Sequence, residues 1–245
     1  MITVAKHIAN KIERWGVKHV PIFQGGAIMN VLSEIGKNKK ITYYCPYHEQ
    51  ALAMAVDAYS RITGFGVGLV TSGPGGTNLL TGVACSYYDS IPCIFFTGQV
   101  GQFHITGKRK VRQRGFQETD NVSIFRPITK FSYQIKNPEE IDYILDKAYH
   151  IANSDRPGPV LIDVPFNIQK AKINPGKIKK FNFKEKKLKF NNLTKLVELI
   201  NLSKKPLFIA GGGVRISKQE KNFLDLAYNN KIPIIKILLI NIPPV

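Results

Sequence analysis

Cysteine is scarce in this chain of 245 residues: Cys45, Cys85 and Cys93 are the whole supply, and they form no CxxC or other metal-ligand spacing. A disulfide scaffold and a cysteine-built metal site are thereby excluded, and a reduced, cytoplasmic setting is expected. Long apolar runs are also missing. None reaches the roughly 18 residues that a membrane-spanning helix requires, so no membrane partner is expected. The opening MITVAKHIANKIERWG mixes charged and apolar residues and does not read as a signal peptide. No GxxxxGK[ST] occurs, and the glycine turn GPGGTN (73–78) carries Asn78 where a dinucleotide fingerprint would need its third glycine. His7, His19, His48, His104 and His150 show no metal-ligand spacing, so no metal site is expected.

Acidic residues are few as well, 17 against 35 Lys and Arg, for a net charge of +18. The excess is local. Residues 1–170 hold 19 basic and 13 acidic residues, whereas 171–245 hold 16 and 4. Eight lysines lie between Lys172 and Lys189 in a stretch with Pro and Gly but no sustained period. Residues 171–190 therefore read as a solvated basic linker. Nucleic acid is a poor fit, because aromatics are not interleaved with most lysine runs, Phe181, Phe183 and Phe190 excepted. A second basic cluster, KRKVRQR (108–114), falls in a long loop where it can attract anionic substrates.

What the chain has in quantity is alternation. Thr3 can cap a helix with the apolar face Val4, Ile8, Ile12 and Trp15, ended by Gly16. Strand-like HVPIF (19–23) leads into Gly25-Gly26 and a helix to Gly36; ITYYC (41–45) leads to Pro46 and a helix through Gly64. GVGLVT (66–71), the glycine turn, a helix to about Tyr87 and PCIFFT (92–97) repeat the scheme. A long loop over 98–122, ITKFSYQI (128–135), a helix from Pro138 and GPVLIDV (158–164) complete it. Apolar strands joined by helices imply a doubly wound α/β fold, its parallel sheet covered on both faces. Beyond the linker, residues 191–245 supply two strands and two helices, read as an incomplete second α/β domain.

Two local features carry chemistry. In GPGGTN, strand-to-helix geometry lets backbone N–H groups face an anion or a polar ring. Gly25-Gly26 and Gly211–Gly213 are weaker turns of the same kind. Glu49 opens a helix whose following residues, Ala51 to Val56, are apolar. A lone first-turn carboxylate is usually a helix-dipole partner. Against a packed surface, however, desolvation favours the neutral acid and keeps a proton available. His48 receives no chemical role.

These residues carry a resemblance. HEQALAMAVDAYSR, GVGLVTSGPGGTNLLTGVACSYYDSIPCIFFTGQV, GFQETDNVSIFRPITK and RPGPVLIDVPFNIQ resemble successive blocks of the thiamine diphosphate-dependent acetolactate synthase family over about residues 1–170. PLFIAGGGV is similar to the start of that family's middle domain. The resemblance implies a pyrimidine-binding domain over 1–170 and a flavin- or nucleotide-type middle domain over 191–245. It implies thiamine diphosphate as cofactor, with Mg2+ and the diphosphate held elsewhere, and Glu49 as the acid that hydrogen-bonds N1′ of the aminopyrimidine. Gly25, Gly26, Pro74, Asn78 and Gln99 would surround the cofactor, Phe116 and Gln117 the substrate, and Gly211, Gly212 and Gly213 a flavin (FAD). The implied reaction is decarboxylation or joining of 2-oxo acids such as pyruvate, as in branched-chain amino-acid biosynthesis. A homodimer, or a partner chain bearing the diphosphate domain, is implied too.

Departures shape the expectation. Phe166-Asn167 stand where the family usually has Lys-Asp, a lysine near flavin and substrate. No GDG followed by Asn-Asn occurs, the segment that carries Mg2+ and diphosphate in the family. The tail IPIIKILLINIPPV drifts from the family pattern, so the chain is expected to be truncated and inactive alone. Two rivals stand beside this reading: the pyrimidine-domain subunit of a two-chain decarboxylase, and a non-enzymatic remnant or basic binding module.

Overall fold

The computed structural model describes residues 1–183 and 192–237. The chain divides into two compact units, Met1–Phe183 and Lys184–Val245. The first unit opens with β1 (Ile2–Thr3) and α1 (Val4–Arg14). The Thr3 side chain accepts from the Lys6 N–H at 3.1 Å, as a β-region cap should, and Gly16 follows the helix at φ +77°. Then come β2 (His19–Pro21), a 3₁₀ turn at Gly26–Ile28, α2 (Met29–Lys37), β3 (Thr42–Tyr44) and α3 (Glu49–Thr63). β4 (Gly66–Val70), α4 (Pro74–Thr77), α5 (Leu80–Tyr88) and β5 (Cys93–Gln99) follow. After the loop stand α6 (Asn121–Phe125), β6 (Phe131–Gln134), α7 (Ile141–Asn153), β7 (Pro159–Pro165), α8 (Phe166–Lys170) and β8 (Lys172–Ile173).

The main sheet runs β4-β5-β7-β6, all parallel. β2 pairs in parallel with β3, and a bridge from Ile22 to Leu69 joins that pair to β4. Side chains of the central strands alternate between two cores. Ile94 and Phe96 of β5, with Val160, Ile162 and Val164 of β7, face α1 and α7. Cys93, Phe95 and Leu161 face the opposite way, into a second core with Leu52, Ala53 and Val56 of α3 and Val83 of α5. Strands buried on both faces are what a doubly wound sheet requires, and this is the fold read from the alternation. Between α1 and α7, Asp142 Oδ1 takes His7 Nε2 at 2.8 Å and Lys11 Nζ at 2.7 Å; Lys11 also reaches Asp146 at 2.5 Å.

Four expectations need adjusting. Pro46 does not open α3. His48 does, in extended conformation with its Nδ1 accepting from the Gln50 N–H at 3.1 Å. The helix expected after the glycine turn is two short ones, with Asn78 and Leu79 between them. The long loop is shorter, because β5 runs on to Gln99, a 3₁₀ turn forms at Gln102–His104, and α6 starts at Asn121. Finally, the stretch read as linker begins inside the first unit: β8 pairs antiparallel with β1, and the rings of Phe181 and Phe183 lie tilted against His150. The rest of that stretch (184–190), residue 191 and the tail from 238 lie outside the described residues.

The second unit contains α9 (Leu193–Leu202), β9 (Phe208–Ala210), α10 (Gly212–Ile216), α11 (Glu220–Asn229) and β10 (Ile234–Lys236), with β9 and β10 parallel. Its buried hydrophobic residues among those described are Ala210, Ala227 and Ile232.

Candidate active site

Strand order dictates where a site can form. From β2 the chain steps outward to β3, whereas from β4 it steps the other way to β5, so β2 and β4 flank the switch point. In doubly wound sheets a ligand usually enters a crevice at this point, beyond the carboxyl ends of the strands.

The turns after β2 and β4 meet at this point. A Cβ on Gly25 would stand 2.4 Å from Thr71 Cβ, so glycine lets the two turns touch; Gly26 beside it has open space. Gly73 has φ +59° and lies against Gln117, where a Cβ would sit 2.8 Å from the Gln117 Cβ. Both space and backbone angle require glycine. Pro74 follows at the first position of α4, exposed, where its missing N–H costs nothing.

Glu49 comes from another direction, as the first residue of α3. Its side chain is buried, at 6% residue exposure, and its Oε2 accepts from Asn78 Nδ2 at 2.9 Å. The other oxygen lies near Gly75, 3.6 Å from where a Cβ would stand, and takes no hydrogen bond from the described residues. A buried carboxyl group with one oxygen held and one free is suited to proton exchange with a polar ring.

Of the other residues singled out, Gln117 reaches the glycine turn and holds φ +58°. Phe116 beside it is 81% exposed. Gln99 lies inside the protein instead: its Nε2 donates to Thr119 O at 2.7 Å and to Asp163 Oδ2 at 3.1 Å. Gly211 caps α10, and Gly212 and Gly213 begin that helix, all three in the second unit with open space where a Cβ would go. Glu118 accepts from the Thr106 N–H and hydroxyl, each at 2.6 Å, and from the Arg114 N–H at 2.8 Å. Burial pushes Glu118 up, but those bonds outweigh it and hold its carboxyl below the usual range.

A buried polar cluster went unnoticed in the sequence. Asp163 on β7 is fully buried and accepts from Thr97 Oγ1 at 2.6 Å, Gln134 Nε2 at 2.7 Å and Gln99 Nε2. Burial pushes Asp163 up to about 6, against the pull of these donors. One signal was available: a single acid inside the apolar strand GPVLIDV must find donors or pay heavily for burial. Among the described residues, no group of three or more His, Cys, Asp or Glu is placed to hold a metal ion, and no helix is long and apolar enough to cross a membrane.

Fold and site together define a doubly wound α/β domain with a buried acid at its switch point. Residues 2–124 match the family described as thiamine pyrophosphate enzyme, N-terminal TPP binding domain. The chain belongs to that family. Over nearly its whole length it is similar to acetolactate synthases. It shares 35% identity with an acetolactate synthase of Arthrospira platensis, over 97% of this chain and 42% of the relative. With a probable acetolactate synthase large subunit of Methanocaldococcus jannaschii it shares 38%, over 96% and 40%. With the acetolactate synthase large subunit of Lactococcus lactis it shares 36%, over 95% and 40%. The chain thus spans about two-fifths of the length of these relatives.

Proposed function

We propose that the first unit holds the aminopyrimidine of thiamine diphosphate at the β2/β4 switch point, with Glu49 as the acid that exchanges a proton with N1′. The observation that carries this reading is the buried Glu49 carboxyl, fixed on one side by Asn78 and free on the other. The residues fit a polar ring: one acid, an orienting amide, and open space at Gly26 where a side chain would otherwise stand. When bound, the cofactor supplies the electron sink for decarboxylating a 2-oxo acid. Asn78 holds the carboxyl in place, Gly25 lets the turn after β2 close onto Thr71, Gly26 leaves open space for the cofactor, Pro74 borders the ring, and Gln99 anchors the loop that brings Phe116 and Gln117 toward the substrate. Pyruvate is the substrate that the acetolactate synthase relatives suggest. Gly211–Gly213 of the second unit are the corresponding candidates for contact with a flavin.

Diphosphate and Mg2+ are assigned to another chain or domain, which also closes the crevice. The exposed face of α3 supports a protein partner. Ala51, Met54, Ala58 and Ile62 form an apolar stripe at helical spacing, beside exposed Cys85 and Tyr88 of α5.

The test mixes this chain with a separately made diphosphate-binding half and follows exchange of the thiazolium C2 proton into D2O. Glu49→Gln should slow exchange by roughly 10²-fold, since an amide is a poor proton donor. Exchange at the wild-type rate, in a variant with an unchanged circular dichroism spectrum, would remove Glu49 from the mechanism.

A further inference from the structure

Asp163 lies near the carboxyl edge of the sheet, outside the stretch matched to the family, and the proposed chemistry does not use it. The groups that face it are Thr97 and Gln99 on β5, Asn121 on α6 and Gln134 on β6, all neutral. What they hold is informative. Gln99 donates from Nε2 to Thr119 O at 2.7 Å, while its Oε1 accepts from the Val100 N–H at 3.0 Å. One buried amide therefore clasps both stems of the loop over residues 100–120, and Asp163 at 3.1 Å fixes that amide.

Asn121 supplies a second, independent observation. Its Nδ2 points to Asp163 Oδ1 at a long 3.5 Å, and its Oδ1 is a buried oxygen with no hydrogen-bond partner. Gly76 of the glycine turn presses on that oxygen, where a Cβ would stand 2.4 Å away. A buried acceptor without a donor is destabilising. A proton on Asp163 would supply the donor, once the Asn121 amide turns. The same proton would remove the charge that Gln99 and Gln134 bind.

We propose that Asp163 is a positioning residue: as a carboxylate it fixes Gln99, and through Gln99 the loop bearing Phe116 and Gln117 beside the Gly73–Asn78 turn, and its protonation loosens that loop. Because burial places Asp163 at about 6, the change falls in a mildly acidic range. The inference concerns the loop alone and stands whether or not the crevice holds thiamine diphosphate.

The loop carries its own reporters, trypsin sites at Lys108, Arg109, Lys110, Arg112 and Arg114. The experiment measures cutting there on the full chain between pH 5 and pH 8. Each rate is divided by that for a free peptide of residues 105–117, which removes the protease's own pH profile. The normalised rate should rise about ten-fold toward pH 5, with a midpoint near 6, consistent with weakening of charge-assisted bonds. Asp163→Asn should be cut at the fast rate at every pH. Gln99→Leu, which leaves Asp163 in place, should also be fast at pH 8 and lose the profile; this variant decides the matter if Asp163→Asn does not fold. A flat wild-type profile overturns the proposal. So does a midpoint that survives in Asp163→Asn. Loop cutting that rises only in step with cutting elsewhere in the first unit overturns it too.

Discussion

At the scale of single residues, buried charge is the term that decides most. Burial pulls His7 below its ordinary 6.5, against the opposing pull of Asp142. Burial pushes Asp142 up, yet the bonds and charges of Lys11 and His7 outweigh it and hold the carboxyl below its ordinary 3.8. Both groups bind protons less readily folded than unfolded. Their stabilisation is fully present above pH 6.5 and is lost as pH falls, first through the His7 range and then below 3.8. Asp163, raised by burial, works the other way between about 4 and 6. Lys11→Met leaves Asp142 buried with one partner and should cost roughly 3–5 kcal/mol in urea unfolding at pH 7. It should also raise the His7 titration midpoint in NMR, since a neighbouring cation is gone. Little of this was legible in the sequence, because His7 and Asp142 lie 135 positions apart. Glu49 and Asn78 were each singled out, but their hydrogen bond depends on α3 and α4 converging from different strands.

At the scale of elements, helix periods and apolar strands were readable, since burial on both faces leaves so plain a mark on β4, β5 and β7. Ends were harder. Pro46 looked like the start of α3, yet a histidine side chain caps the helix two residues on, a role propensity does not favour. The crossing of α3 and α5 was not legible at all, because it turns on one missing side chain. A Cβ on Gly82 would stand 2.4 Å from Ala53 Cβ and 3.0 Å from backbone atoms of Ala53 and Met54. Gly82→Ala should therefore destabilise by about 1–3 kcal/mol by overpacking. Ala53→Gly should recover part of it, giving a coupling of about 0.5 kcal/mol or more in a double-mutant cycle of chemical denaturation. Strict additivity would mean the helices are not in contact there.

At the scale of the whole molecule, the two units differ in what they bury. The first has two cores, one on each face of its sheet; the second leaves Leu196, Leu199, Leu202 and Ile235 exposed, and among its described residues three apolar ones are buried. Cooperative stability follows buried apolar area. A chain ended at Phe183 should thus unfold within about 4 °C of the full chain's midpoint by calorimetry, equivalent to roughly 1 kcal/mol for this size. A large drop would show that the second unit contributes to the first unit's fold. The short β1–β8 ladder has a mechanical consequence. Ile2 faces Ile173 and Thr3 faces Lys172, so the chain leaves both strands at the same end of the ladder. Force applied between Met1 and the segment after Ile173 loads those hydrogen bonds one after another, as in opening a zipper, instead of all together in shear. The clasp should peel open at low force while the parallel sheet behind it, held by strands that pair along their length, stays intact.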